Sequence, residues 1–364
     1  MSNKEKKRKA FSTLIISLLV IGIIFITYSG VQKWIGIGFF TVALILLVLN
    51  SLGTFYYSKA SRLLNGENPP VKDSLPIFEK AVKLGIETKG EVVVGTLFVQ
   101  YGDMEKGKAL CTLYDLAILE GCLDSQDNKV VQSAKISLSM YYWIKNDLDK
   151  ALSIAEEVYN TGFRDRNLYI NLSTYYLEKG KYKEFKKLVK ESKDKNFYLP
   201  ATQDLEAAYY IAQSDWARAG SLLKNLFETS KPTFIDPFLH KALVLLHYGE
   251  WDEAAKALRE LKEKCQFTNA SIYTESQIDI LIAYLDEEST RWGLLEAINS
   301  DPTIFIRREM PTIKSGVSMS SSFPSKPDFS ELETVSSKED EEEDDGDIDT
   351  SLTDDDEEWI KKHS

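Results

Sequence analysis

Histidine and cysteine, the nitrogen and sulfur ligands of metals and common members of nucleophile–base pairs, are scarce in this chain, with three of each among 364 residues. Cys111, Cys122 and Cys265 are odd in number and widely scattered, with no CxxC pair and no metal-ligand spacing, so they read as packing residues in a reducing compartment. His240 and His247 stand seven apart on one helical face but about 10 Å along its axis, too far to share a metal without other ligands. No GxxxxGK(S/T), HExxH or GxSxG occurs, and the nearest approach to GxGxxG, IGIGFF at 35–40, lies inside an apolar run. Acidic neighbours such as Asp286, Glu287 and Glu288 read as a solvated helix end. The expectation is a non-enzyme without metal or cofactor.

Basic surface is missing as well. The net charge is −12, but from Asp328 onward seventeen acids face only Lys338, Lys361 and Lys362, so the remainder is near neutral. Such a chain is a poor partner for nucleic acid. At 43% hydrophobic and 27% charged residues it can bury a core, yet it is too polar to lie in a membrane throughout.

Two stretches lack charge altogether. FSTLIISLLVIGIIFITY (11–28) and WIGIGFFTVALILLVLNSL (34–52) are each long enough to cross a hydrocarbon core, and the short segment between them allows only a tight turn. An antiparallel transmembrane hairpin over 11–53 is predicted, preceded by a basic N-terminus over 1–10. Lys4, Lys6, Lys7, Arg8 and Lys9 before it, and Lys59 and Arg62 after it, outnumber the lone Lys33 of the loop, which places both ends in the cytoplasm. Tyr28 and Trp34 at one end, with Tyr56 and Tyr57 at the other, suit the two interfaces. A cleaved signal peptide is disfavoured, because no small-x-small site separates the runs and a second span follows at once. Neither run holds an ionisable residue of the kind that marks an ion path, so the pair reads as an anchor. A plain two-span anchor points to a bacterial plasma membrane.

A phrase then recurs: GDMEKGKAL at 102, NDLDKALSI at 146, GKYKEFKKL at 180, SDWARAGSL at 214 and GEWDEAAKA at 249. Its sixth residues are Gly107, Ala151, Phe185, Ala219 and Ala254, with a period near 34 once the polar insertion at 121–130 is looped out. Twelve residues earlier stand Gly95, Ser139, Ser173, Ala207 and Ala242, all small. Three further on come Phe98, Tyr142, Tyr176, Tyr210 and Leu245, all large. Small residues let paired helix axes approach while large ones fill the gap toward the next unit. The residue opening each phrase is expected to end the first helix in the left-handed region.

This pattern resembles the tetratricopeptide repeat, a 34-residue helix-turn-helix unit. The resemblance covers roughly residues 54–302 and implies an all-α fold, a solenoid of about six to seven helix pairs carried on the hairpin. SLPIFEKAVKLG (74–85) then forms the second helix of a first unit whose first helix runs out of the membrane span. SIYTESQIDILIAYLDEE and STRWGLLEAINS form a degenerate last pair. Phe185 departs from the pattern, and the closing proline survives only near Pro232 and Pro302. Some membrane-anchored members of this class end in a CxxC-built zinc ribbon, which this chain lacks.

The resemblance also implies a concave groove lined by first helices. It maps to Val92, Thr96 and Val99; Ile136, Met140 and Trp143; Ile170, Thr174 and Leu177; Asp204, Ala208 and Ile211; and Leu239, Leu243 and Leu246. Being mostly apolar, these positions suit an amphipathic helix or hydrophobic peptide of a partner protein; the alternative is that several of them pack between repeats, since a register shift of one residue moves a side chain from groove to core. Residues 303–364 are expected to form a disordered acidic tail. Within its last residues, Trp359, Ile360, Lys361 and Lys362 suit a short helix able to dock on another protein or on the chain's own groove. The expected function is a membrane-anchored, non-catalytic adaptor. The alternative is an accessory or assembly subunit of a membrane transport or envelope-assembly complex, with Gly22, Gly36 and Gly38 as lateral helix contacts.

Overall fold

The protein is described by a computed structural model over residues 3–65, 69–102, 110–313, 323–327 and 329. Among the described residues it is all-helical, with fifteen helices and no strand. The two charge-free runs fall in α1 (Asn3–Ile26) and α2 (Val31–Leu63), which pack on each other and are long and apolar enough to cross a membrane. Their outward side chains, Leu14, Ile16, Ile23, Ile45 and Val48 among them, are exposed and apolar. Gly22 and Gly36 set the approach of the two helices. A Cβ on Gly36 would lie 2.6 Å from the Ile26 backbone nitrogen, and one on Gly22 2.9 Å from that of Phe40, whereas Gly38 faces open space. Gly22 and Gly36 therefore serve contacts inside the pair.

At 1.5 Å per residue the 33-residue α2 is about 50 Å long, and it continues past residue 53 without a break. Its last turns bury Ala60 with Leu75 and Phe78 of α3 (Val71–Leu84), and Tyr57 meets Phe78 edge-on at 5.6 Å. The Arg8 guanidinium, from α1, donates to the Ile86 carbonyl beyond α3. The helix pair and the body are thus joined by packing as well as by chain.

Next come α4 (Thr88–Tyr101), α5 (Leu110–Cys122), α6 (Asn128–Ile144), α7 (Leu148–Asn160), α8 (Arg166–Glu178) and α9 (Tyr182–Asp194). They are followed by α10 (Pro200–Ala212), α11 (Trp216–Thr229), α12 (Asp236–His247), α13 (Trp251–Lys264), α14 (Glu275–Asp286) and α15 (Glu288–Ser300). Sequential neighbours pack as hairpins, and α4, α6, α8, α10 and α12 also pack on one another in turn. The core is a row of four apolar clusters in chain order.

The turns follow from the recurring phrase. Asn146, Gly180, Ser214 and Gly249 sit at φ between 58° and 78°. In each, the next amide bonds five residues back, as Asp147 N does to Tyr142 O at 2.9 Å and Glu250 N to Leu245 O at 2.9 Å. This is the Schellman stop, which satisfies carbonyls the helix end leaves orphaned. Asp147 and Asp215 then cap the following helix by accepting from Lys150 N and Arg218 N. Gly102 departs, at φ −64°, and the rest of its phrase, with Gly107, lies outside the described residues, as does the side chain of Cys111.

The small positions behave as packing requires. Ser139, Ser173, Ala151, Ala207, Ala219, Ala242 and Ala254 are all essentially inaccessible. Phe185, the exception in the pattern, is buried and stacks on Tyr209 at 5.3 Å. On α13 the buried face is Ala254, Ala255, Ala257, Leu258 and Leu261, with Asp252 and Glu253 in the first turn and Lys262 and Lys264 in the last. That charge order complements the helix dipole.

The body does not stop at Pro302. Residues 301–313 fold back as irregular turns, burying Phe305 against α12–α15 while Tyr273 Oη donates to Glu309 O at 2.5 Å. The predicted boundary at 302/303 is corrected accordingly: Phe305, Met310 and Ile313 are core partners, not tail. Residues 323–327 and 329 also lie on the body, and the terminal Trp359, Ile360, Lys361 and Lys362 are outside the described residues.

Candidate functional site

The first helices of successive hairpins share one face, and that face holds a cavity of about 300 Å³. Met140 and Trp143 enter it from α6, Ile170, Thr174 and Leu177 from α8, Asp204 and Ala208 from α10, and His240 from α12. Of the fifteen groove positions read from the sequence, seven line this cavity: Met140, Trp143, Ile170, Thr174, Leu177, Asp204 and Ala208. Val92 and Ile136, with Thr96, line a second recess that also includes Arg166 and Asn167. Val99, Ile211, Leu239, Leu243 and Leu246 line neither, being buried in the core clusters between hairpins. The correction has a simple cause. Neighbouring positions on a helix are turned by about 100° from one another, so a shift of one position moves a side chain from the face to the interior.

The face is also covered. The connector between α13 and α14 crosses it, with Asn269 donating to Val99 O at 3.0 Å and Gly102 O at 2.9 Å, and its amide to Gln100 O at 2.7 Å. Gln266 Nε2 reaches Pro69 O at 2.7 Å. From the C-terminal turns Ile306 joins the lining, and the Arg308 guanidinium lies 4.4 Å above the Trp143 ring. Trp143 Nε1 donates to Glu178 Oε2 at 2.5 Å. Burial raises the Glu178 carboxyl, opposed by the Trp143 bond and Arg308, and burial lowers the Arg308 guanidinium against the pull of Glu178 and Asp236.

One end of the cavity is polar. His240 Nδ1 and Asp204 Oδ1 are 2.9 Å apart and both side chains are 2% exposed. Burial works to lower the imidazole, but the charge and hydrogen bond of Asp204, with Asp236, raise it above its ordinary value. Asp236, at the first position of α12, is pushed up to about 7 by burial and by Asp204, against the pull of His240, the Ile272 amide and Arg308. Two atoms are left over: Asp236 Oδ1 and His240 Nε2 are buried with no partner among the described residues. The arrangement can take a group that both donates and accepts hydrogen bonds. An activated thiol is not part of it, because burial, with Asp236 and Glu260, pushes Cys265 up to about 12.

Sequence reasoning found Asp204, weighed His240 only as a metal ligand, and missed Asp236 and both covering segments. His247, its other candidate histidine, stacks flat on Trp216 at 4.5 Å and sits 3.2 Å from Asn299 Oδ1, a packing role. A usable signal existed: Asp204 and His240 are 36 residues apart, one unit plus two. Other bonds between successive units have similar spacing, with Ser139 to Tyr175 at 36 and Trp143 to Glu178 at 35. No protein-family model matches the chain, and no curated protein and no solved structure is significantly similar to it.

Proposed function

We propose that the chain is a membrane-anchored, non-catalytic adaptor of tetratricopeptide type, with its helix pairs forming a solenoid on the cytoplasmic side and a partner protein engaging the lined face. The observation that carries the reading is the unbroken α2, whose first two thirds are apolar and outward-facing and whose last turns are part of the body's core. A rigid join of this kind fixes a protein-binding face at a set distance from a bilayer, which raises local concentration without chemistry. The basic N-terminus and the Lys59 and Arg62 flank support a cytoplasmic body, at a plasma membrane of bacterial type.

The cavity limits what the partner presents. Space of about 300 Å³ accommodates a few side chains, not a helix lying along the face. An apolar anchor residue carrying a neighbouring polar group fits the Met140, Trp143 and Ile170 wall and the His240 and Asp236 end. Full access requires residues 303–308 to move aside. Membership of a larger transport or envelope-assembly complex is the weaker reading, because Gly22 and Gly36 are consumed within the hairpin and leave only Gly38 open.

The test is in-membrane crosslinking with mass spectrometry, comparing the intact chain with Ile170→Lys. Ile170 lines the cavity but is only half-buried, so the helix tolerates the charge. The adaptor reading expects a defined partner set to be lost in the variant and kept when the hairpin is replaced by an unrelated one. Partners that survive Ile170→Lys but vanish with the hairpin would sink it in favour of the complex subunit.

A further inference from the structure

The turn between α12 and α13 carries an aromatic corner that shares no residue with the cavity. Trp251, at the start of α13, meets Trp292 of α15 edge-on at 5.5 Å, and Tyr248 closes the preceding helix end. Onto this corner comes the segment Phe323-Pro-Ser-Lys-Pro. The Phe323 ring stacks on Trp292 at 5.4 Å and 18° and meets Trp251 edge-on at 5.5 Å. Lys326 Nζ lies 3.0 and 2.9 Å from the two Glu250 oxygens. Phe329 meets Tyr248 at 6.1 Å and packs against the core cluster of α10–α15.

Two glycines make room for these rings. A Cβ on Gly249 would come within 2.6 Å of the Phe323 ring, and one on Gly220 of α11 within 2.4 Å of the Phe329 ring. Gly249 is explained by its left-handed turn, but Gly220 is not. It lies inside a regular helix, where glycine is less favourable than alanine, and the three atoms nearest to its missing Cβ all belong to the Phe329 ring.

We propose that this corner is a peptide-docking site whose resident ligand is the chain's own segment 323–329, read as two aromatic rings six residues apart with a lysine between them. Each part of the corner reads one part of the ligand: the indole pair takes Phe323, Glu250 takes Lys326, and the Gly220 hollow takes Phe329. Pro324 and Pro327 fix φ and so reduce the entropy lost on docking, as in other proline-bearing ligands of aromatic grooves. The inference is independent of the adaptor reading, since it rests on a different set of residues.

The experiment uses the full chain in detergent micelles and a fluorescent synthetic peptide carrying residues 321–331. In the wild type the tethered segment outcompetes the peptide, because a short tether supplies an effective concentration in the millimolar range. In Phe323→Ala with Phe329→Ala the corner is vacated, and the peptide is expected to bind at least about tenfold more tightly than to the wild type. Adding Glu250→Lys to that variant should weaken binding about threefold or more, and a peptide bearing Lys326→Glu should recover it. Adding Gly220→Ala instead should weaken binding several-fold while circular dichroism shows the helices intact. Equal peptide binding to wild type and vacated chain, no binding to either, or indifference to both the charge exchange and Gly220→Ala would overturn the proposal.

Discussion

Asp236 is the residue where folding and protonation are most strongly linked. Its titratable neighbours come from four elements: Asp204 on α10, His240 on its own α12, Cys265 at the end of α13 and Arg308 in the C-terminal turns. With its folded value raised to about 7 from an ordinary 3.8, the folded chain holds a proton here that the unfolded chain has released between those values. Stability therefore falls as pH rises across that window. The raised His240 has the same sign: its contribution is full below its unfolded value and is lost as pH rises through the folded one. Asp236→Asn removes the ionisation while keeping an acceptor for the Ile272 amide. The gain in stability should be larger at pH 8 than at pH 5, by up to roughly 3 kcal/mol, because about two pH units of the window lie above pH 5. Thermal melts at the two pH values check this, and a gain of equal size at both would exclude the linkage. Asp204 was legible because it is the one charged residue among apolar positions of the predicted face. Asp236 was not, because nothing local distinguishes it from an ordinary first-turn acid followed by Pro237.

At the scale of elements the sequence is most informative where the backbone has few options. The four phrase openings at Asn146, Gly180, Ser214 and Gly249 were predicted to enter the left-handed region, and each does. Gly102 bears the same kind of residue and does not, and its carbonyl accepts from Asn269. Period and small-residue spacing located the paired helices, but they did not separate groove from interior, as the burial of Val99, Ile211 and Leu243 demonstrates. Ser214 offers a direct test of the turn. A non-glycine residue pays about 1–2 kcal/mol for the left-handed conformation, part of which glycine returns as unfolded-state entropy. Ser214→Gly should stabilise the body by about 0.5–1 kcal/mol, and Ser214→Val should destabilise it by more than that, since a β-branched residue fits this region worst. Urea unfolding of the three proteins decides it, and a loss of stability in Ser214→Gly would show that the serine side chain, not the turn geometry, matters at this position.

For the whole molecule, absence of charge made the apolar hairpin legible and periodicity made the helical row legible. Neither signal reaches the two irregular segments that cover the shared face. Asn269 bonds Val99 O 170 residues away, and Arg308 reaches Trp143 across 165. Contacts of that separation between irregular stretches leave no periodic trace, and the low hydrophobicity after residue 312 masked the apolar Phe305 and Ile306 just before it. Their weight can be measured by truncation. A chain ending at residue 313 keeps Phe305, the Tyr273 bond to Glu309 and the Arg308 cover. A chain ending at residue 302 loses all three, and emptying a buried phenylalanine site alone costs about 3–5 kcal/mol. The shorter chain should melt about 6 °C or more below the longer one. Hydrogen exchange should also quicken at the Asn269 amide, whose bond to Gln100 O is held beneath Arg308. Equal melting and equal exchange in the two chains would show that residues 303–313 only rest on the face. In that case residues 303–308 are displaced from the cavity at little cost in stability.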